Sequence, residues 1–211
     1  MDFLKKLKLE AGRLTMKDLA TLRKEAKQGD IEAMKTLALG YLDEAAKWFE
    51  KAAKQGDANA QYNIAVFYYY GCGVTRDHKK SAKWCRKAAV QGYAKAQFLL
   101  GVAYMYGYGV KKDNSKAVKW LRKAGYQGHV DAQFELGVAY ANGYGVRVNY
   151  LKSLRWYIQA AKRGNIEAKE IVESSIKDPK IREIIFSESE EELQKNVDEF
   201  LSSLPTEQHD N

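Results

Sequence analysis

The chain has 211 residues, 45% of them apolar, with two cysteines, three histidines and a formal net charge of +8. So few cysteines exclude a disulfide framework, and no stretch is long and apolar enough to span a membrane. The charge is uneven: residues 183–211 carry nine acids and a single lysine, so the remainder is strongly basic and suits an acidic partner, a nucleic acid or the chain's own tail.

Residues 1–14 intersperse lysines with leucines and lack the continuous apolar core of a signal peptide, so a cytoplasmic protein is expected. Thr15 can cap a helix that turns Leu19, Leu22 and Ala26 inward, and residues 1–30 read as one or more N-terminal helices including a half repeat. Residues 31–57 carry first-helix signals at Ala33, Leu37 and Tyr41 and second-helix signals at Ala45, Trp48, Ala52 and Gly56. Between them Leu42 runs directly into Asp43, so this unit is expected to turn without the loop of its successors.

Three units of 36 residues follow, at 58–93, 94–129 and 130–165. Their pentapeptides Tyr70-Gly71-Cys72-Gly73-Val74, Tyr106-Gly107-Tyr108-Gly109-Val110 and Asn142-Gly143-Tyr144-Gly145-Val146 are in register. Gly56, Gly92, Gly128 and Gly164 keep the same phase, as do Trp48, Trp84, Trp120 and Trp156. Self-similarity at this period marks stacked helix-loop-helix units, none of which buries its apolar face alone. The Gly-x-Gly pair permits positive φ and a tight reversal, and Asp77, Asp113 and Asn149 stand where a side-chain oxygen caps the next helix. Small residues at Ala60, Ala96 and Ala132, at Ala65, Gly101 and Gly137, and at Ala88, Ala124 and Ala160 let helices approach, with the tryptophans filling between. Cys72 and Cys85 have no counterparts in the other units, so reduced thiols acting as apolar fillers are expected.

Residues 166–177 read as a final first helix, closed by Pro179. In the last segment, 178–211, Ser189-Glu190-Glu191-Glu192 has the form of a capping box, followed by a stripe of Leu193, Val197, Phe200, Leu201 and Leu204. A helix over about 190–204 that folds back to cap the open end of the array is expected. The alternatives are a mimic of the partner and a contact that forms a homodimer.

The repeated pattern of Ala96, Leu100, Gly101, Tyr104, Gly107, Gly109, Val110, Asp113, Ala117, Trp120, Ala124 and Gly128 resembles the Sel-1-like repeat family, a relative of the tetratricopeptide repeats. Units 58–93 and 130–165 keep most of it, with Ala65 for the first glycine in one and Asn149 for the aspartate in the other. The resemblance implies an all-α, right-handed α/α solenoid over 31–177, with the first helices lining its concave side. It also implies a protein-interaction scaffold or adaptor. Bacterial members resembling this class serve as signalling adaptors, host-interaction factors or immunity proteins that block a secreted toxin.

On that frame the groove for a protein or peptide partner is expected at Tyr62, Tyr69, Tyr70, Phe98, Met105, Tyr106, Phe134 and Asn142, although Phe98 and Phe134 also suit packing between first helices. Lys80, Lys83, Lys87, Lys116, Lys119, Lys123, Lys152 and Arg155 recur at helical spacings on the second helices as a convex basic stripe. A nucleic-acid backbone or an acidic partner following that stripe is the alternative function. Catalysis is not expected: His78, His129 and His209 share no spacing, and the glycine loops lack the Lys-Ser/Thr ending of a phosphate cradle. Neither a cofactor nor a metal is expected.

Overall fold

The computed structural model describes residues 42–178 continuously, together with 21, 24–30, 33, 34, 195, 197 and 198. The expectations at Thr15, Leu19, Leu22, Leu37 and Tyr41, and most of the helix expected over 190–204, lie outside the described residues. Among those described, the regular structure is entirely helical: α1 (Leu42–Lys54), α2 (Ala58–Tyr70), α3 (His78–Val90), α4 (Ala94–Tyr106), α5 (Asn114–Tyr126), α6 (Val130–Asn142), α7 (Tyr150–Ala161) and α8 (Ile166–Lys177). The chain forms two compact units, Met1–Asp113 and Asn114–Asn211.

In the first unit α1 packs on α2, α2 on α3 and α3 on α4. Its core gathers Ala26, Met34, Ala45, Phe49, Ala52, Ala60, Ile64 and Phe67, with Phe49 and Phe67 edge to face at 5.3 Å. Trp48 and Trp84 are half-buried against this core and do not fill it. In the second unit α5 packs on α6, α6 on α7 and α7 on α8. One apolar cluster there joins Leu154, Tyr157 and Ile158 of α7 with Ala168, Val172 and Ile176 of α8, and Val197 is buried among them at 1% exposure. Lys195, Val197 and Asp198 have helical backbone, and Val197 is on the apolar stripe of the expected capping helix.

The loops show why each glycine of the pair is needed. The first, at Gly71, Gly107 and Gly143, ends its helix in the left-handed conformation with φ of 76°, 79° and 75°, and its amide donates to the carbonyl of Phe67, Ala103 or Ala139. Only glycine holds that conformation without steric cost. The second glycine serves a longer-range contact. A Cβ on Gly109 would overlap the carbonyl of His78 and stand 2.7 Å from the Lys79 amide, at the start of α3 in the preceding repeat. Gly145 lies in the same way against Asn114 and Ser115 at the start of α5. Each loop then closes by one bond, with Asp77, Asp113 and Asn149 donating their amides to Tyr68, Tyr104 and Tyr140 at 2.9 Å. The Asp77 and Asn149 side chains accept from the amides of Lys80 and Lys152 as caps.

A second recurrence joins successive repeats. Buried Gln61, Gln97 and Gln133 donate their Nε2 to the carbonyls of Ala53, Ala89 and Gly125 at 3.1, 3.1 and 2.9 Å, each tying a first helix to the second helix before it. Buried carbonyls at a helix end need such a partner, and the long amide supplies it from the neighbouring helix.

Candidate interaction surfaces

Three of the expected groove residues come together at the C-terminal ends of α2 and α4. Tyr69 meets Tyr70 edge to face at 4.9 Å and Tyr108 at 5.7 Å, while Tyr106 stacks on Tyr108 at 5.6 Å. His78 completes the group, 5.1 Å from Tyr69 and stacked on Tyr108 at 5.5 Å. Within this cluster Tyr70 and Tyr106 stay 63% and 57% exposed. Burial raises the Tyr69 hydroxyl pKa above its ordinary value, with the neighbouring Tyr108 and Tyr70 adding to the shift and Arg76 opposing it.

Tyr108 and His78 were not among the expected site residues. Tyr108 is the middle residue of a Gly-x-Gly loop, and it reaches the cluster because Gly109 lets that loop lie on the start of α3. The in-phase aromatics at 108 and 144 were the available signal.

The other expected groove residues have internal contacts or stand apart. Tyr62 packs at 5.4 Å on Tyr93, whose hydroxyl accepts from Asn59. Burial pushes the Tyr62 hydroxyl up to about 12, reinforced by Tyr93 and more weakly by Cys85 and Tyr70. Phe98 and Met105 are half-buried on α4. Phe134 is half-buried and lies 5.6 Å from Tyr157, and Asn142 is exposed with its amide bonded to the Val138 carbonyl. Phe134 and Asn142 belong to the second unit, whereas the aromatic cluster belongs to the first.

On the second helices Lys80, Lys83, Lys87, Lys116, Lys119, Lys123 and Lys152 are exposed and Arg155 is half-buried. Several of these cations rest on aromatic faces of their own unit. The Lys87 ammonium lies 4.4 Å over Trp84 and that of Lys123 4.6 Å over Trp120, with Lys51 repeating the arrangement at 5.3 Å over Trp48. Lys80 lies over Tyr68 at 5.2 Å, and Arg86 donates to the Tyr104 hydroxyl at 2.6 Å. Such contacts hold the ring and the cation to each other and give the stripe a structural role beside any ligand role.

Cys72 and Cys85 are free thiols, and burial raises the pKa of both. Cys85 donates to the Ala96 carbonyl at 3.0 Å from inside the core. Among the described residues no group of three or more His, Cys, Asp or Glu could hold a metal ion, and no helix is long and apolar enough to cross a membrane.

This architecture recurs in solved structures. A protective antigen of uropathogenic Escherichia coli with an SLR fold is similar at 36% identity and a TM-score of 0.71 over 73% of this chain. The chain spans 35% of that antigen's length. A Sel1 repeat protein of Oxalobacter formigenes is similar at 28% identity and a TM-score of 0.69, with 81% of this chain and 73% of the other covered. The immunity protein PA5088 of Pseudomonas aeruginosa shares the fold at 21% identity and a TM-score of 0.51, over 95% of this chain and 82% of its own. No curated protein matches the sequence. The Sel1 repeat model matches residues 42–57, 58–93, 94–129 and 130–165, which is more than half of the chain, and the chain belongs to the Sel1 repeat family.

Proposed function

We propose that the protein is an interaction scaffold that takes a protein segment against the first-helix face, with Tyr69, Tyr70, Tyr106 and Tyr108 as the centre of contact. Sel1 repeats mediate protein–protein interactions, which supports the class of function. The observation that carries the site is the exposed aromatic cluster. Tyrosine offers a large, stiff surface with a polar tip, loses little conformational freedom on binding, and is enriched where binding energy concentrates. Here the rings also brace one another, so little ordering remains for a partner to impose. The fold shared with Pseudomonas immunity proteins supports an immunity-type inhibitor as one form of the scaffold. A reducing, cytoplasmic setting fits the free Cys72 and Cys85 thiols.

The test is affinity capture from the native cell with the wild-type chain and with a Tyr70→Ser, Tyr106→Ser variant, read by quantitative mass spectrometry. A partner enriched by the first and lost by the second supports the proposal. Equal enrichment removes the cluster from the site.

The exposed basic stripe supports a second reading, binding of nucleic acid or an acidic partner. Affinity for DNA or RNA that falls steeply with rising salt is its signature.

A further inference from the structure

In the second unit, α5, α6 and α7 enclose a cleft of about 450 Å³ on the side of the second helices. Its lining includes Arg122, Lys152, Arg155 and Arg163, together with Tyr126 and Trp156, and among the described residues contains no acidic side chain. The two rings meet edge to face at 5.2 Å, and Gly125 makes room for Leu136 and the indole, since a Cβ there would stand 2.9 Å from the Leu136 side chain and 3.1 Å from the ring. Arg122 hydrogen-bonds Tyr126, which holds one guanidinium at the rim of the aromatic wall.

The polar network of this cleft is incomplete. Gln133 lines it at 2% exposure, and its Oε1 is buried with no hydrogen-bond partner among the described residues. In repeat 58–93 the corresponding oxygen, Gln61 Oε1, accepts from Gln91 at 2.8 Å. Repeat 130–165 has Arg163 at the position of Gln91, and Arg163 bonds Gln159 instead, at 3.0 Å to its side-chain oxygen. The substitution adds a cation to the cleft and removes the donor that its floor needs.

We propose that this cleft binds an acidic peptide segment of a partner protein. The partner's carboxylates engage the Arg122 and Arg163 forks, and movement of the exposed Arg163 side chain onto them opens buried Gln133 Oε1 to a peptide N–H. Charge and hydrogen bonding choose the ligand class together. Planar guanidinium groups match carboxylates in paired hydrogen bonds, and a flat aromatic wall suits the peptide plane and the aliphatic stem of a glutamate. A phosphodiester carries charge and acceptors but no donor, so it leaves Gln133 unsatisfied. The proposal is independent of the Tyr70 and Tyr106 cluster, because the residues belong to a different unit and either site stands if the other fails.

The experiment uses the full chain and a fluorescein-labelled hexaglutamate peptide, followed by fluorescence anisotropy at physiological ionic strength. Arg122→Gln with Arg163→Gln should weaken binding about tenfold, as expected for loss of charge-assisted bonds at a binding centre. Lys95→Gln with Lys111→Gln removes the same charge from exposed positions of the first unit outside the basic stripe and should change it by less than about twofold, the behaviour of screened surface charge. Arg122→Lys keeps the charge and loses the fork, so it should still weaken binding severalfold. Circular dichroism and the melting temperature show whether each variant is folded. Equal losses from the arginine and lysine pairs, or full affinity in Arg122→Lys, would overturn the proposal in favour of unspecific attraction. Displacement by oligothymidylate at lower concentration than by unlabelled peptide would overturn it in favour of a phosphate ligand.

Discussion

Gly109 rests on the backbone of His78, at the first residue of the helix that belongs to the repeat before it. The contact turns a loop glycine into a stacking residue. Gly109→Ala must both overlap the His78 carbonyl and hold a side chain at φ 70°. The expected loss is roughly 2–4 kcal/mol from strain and overpacking together. Gly92→Ala has φ 93° but nothing within 4 Å of the added carbon, so it should cost only the backbone strain, about 1 kcal/mol. Denaturant unfolding of the two variants isolates the contact. Equal losses would show that the second glycine matters only to its own turn.

Gly137 makes room for the Tyr157 ring, where an added Cβ would fall 2.5 Å from the nearest ring carbon. Repeat 58–93 solves the same position with Ala65 and Cys85, so residue size is exchanged between the two helices. Gly137→Ala should cost about 1–3 kcal/mol alone and much less in a Tyr157→Cys background. Additive losses in the double-mutant cycle would contradict this exchange. Tyr157 also loses its ring contact with Phe134 in that background, which is why the cycle and not the double variant alone is informative.

These two glycines mark how far the sequence can be read. The 36-residue period, the phased tryptophans and the capping residues are local or periodic, and they place α2 to α8 along the chain. The stacking role of the second glycine depends on what lies one repeat away, which spacing alone does not reveal. Gln61, Gln97 and Gln133 were in phase too, yet a polar residue beside the in-phase alanines gives no hint that it is buried until its acceptor carbonyl is located. The same holds at the candidate site. Tyr69, Tyr70 and Tyr106 stand out from their positions at helix ends, whereas Tyr108 and His78 join them only through the folded-back loop.

Tyr62 gives a pH signature. Its hydroxyl pKa rises from 10.0 to about 12 in the folded chain, chiefly through burial. Above pH 10 the unfolded chain releases this proton while the folded chain retains it, so stability present at neutral pH is lost as pH rises from 10 towards 12. The full effect is roughly 2–3 kcal/mol, with a slope of about 1.4 kcal/mol per pH unit. Tyr62→Phe should flatten the stability profile in that range by this amount and leave neutral-pH behaviour close to wild type. Matching slopes in wild type and variant would show that Tyr62 titrates normally.

The most direct test of the scaffold reading is the calorimetric affinity of the captured partner for wild-type, Tyr70→Ser and Tyr106→Ser chains. Both rings are more than half exposed, so the substitutions should leave helical content and melting temperature intact. Each substitution is expected to weaken binding of the partner by more than about 1 kcal/mol, the threshold of a binding hot spot. Unchanged affinity in both folded variants would contradict it.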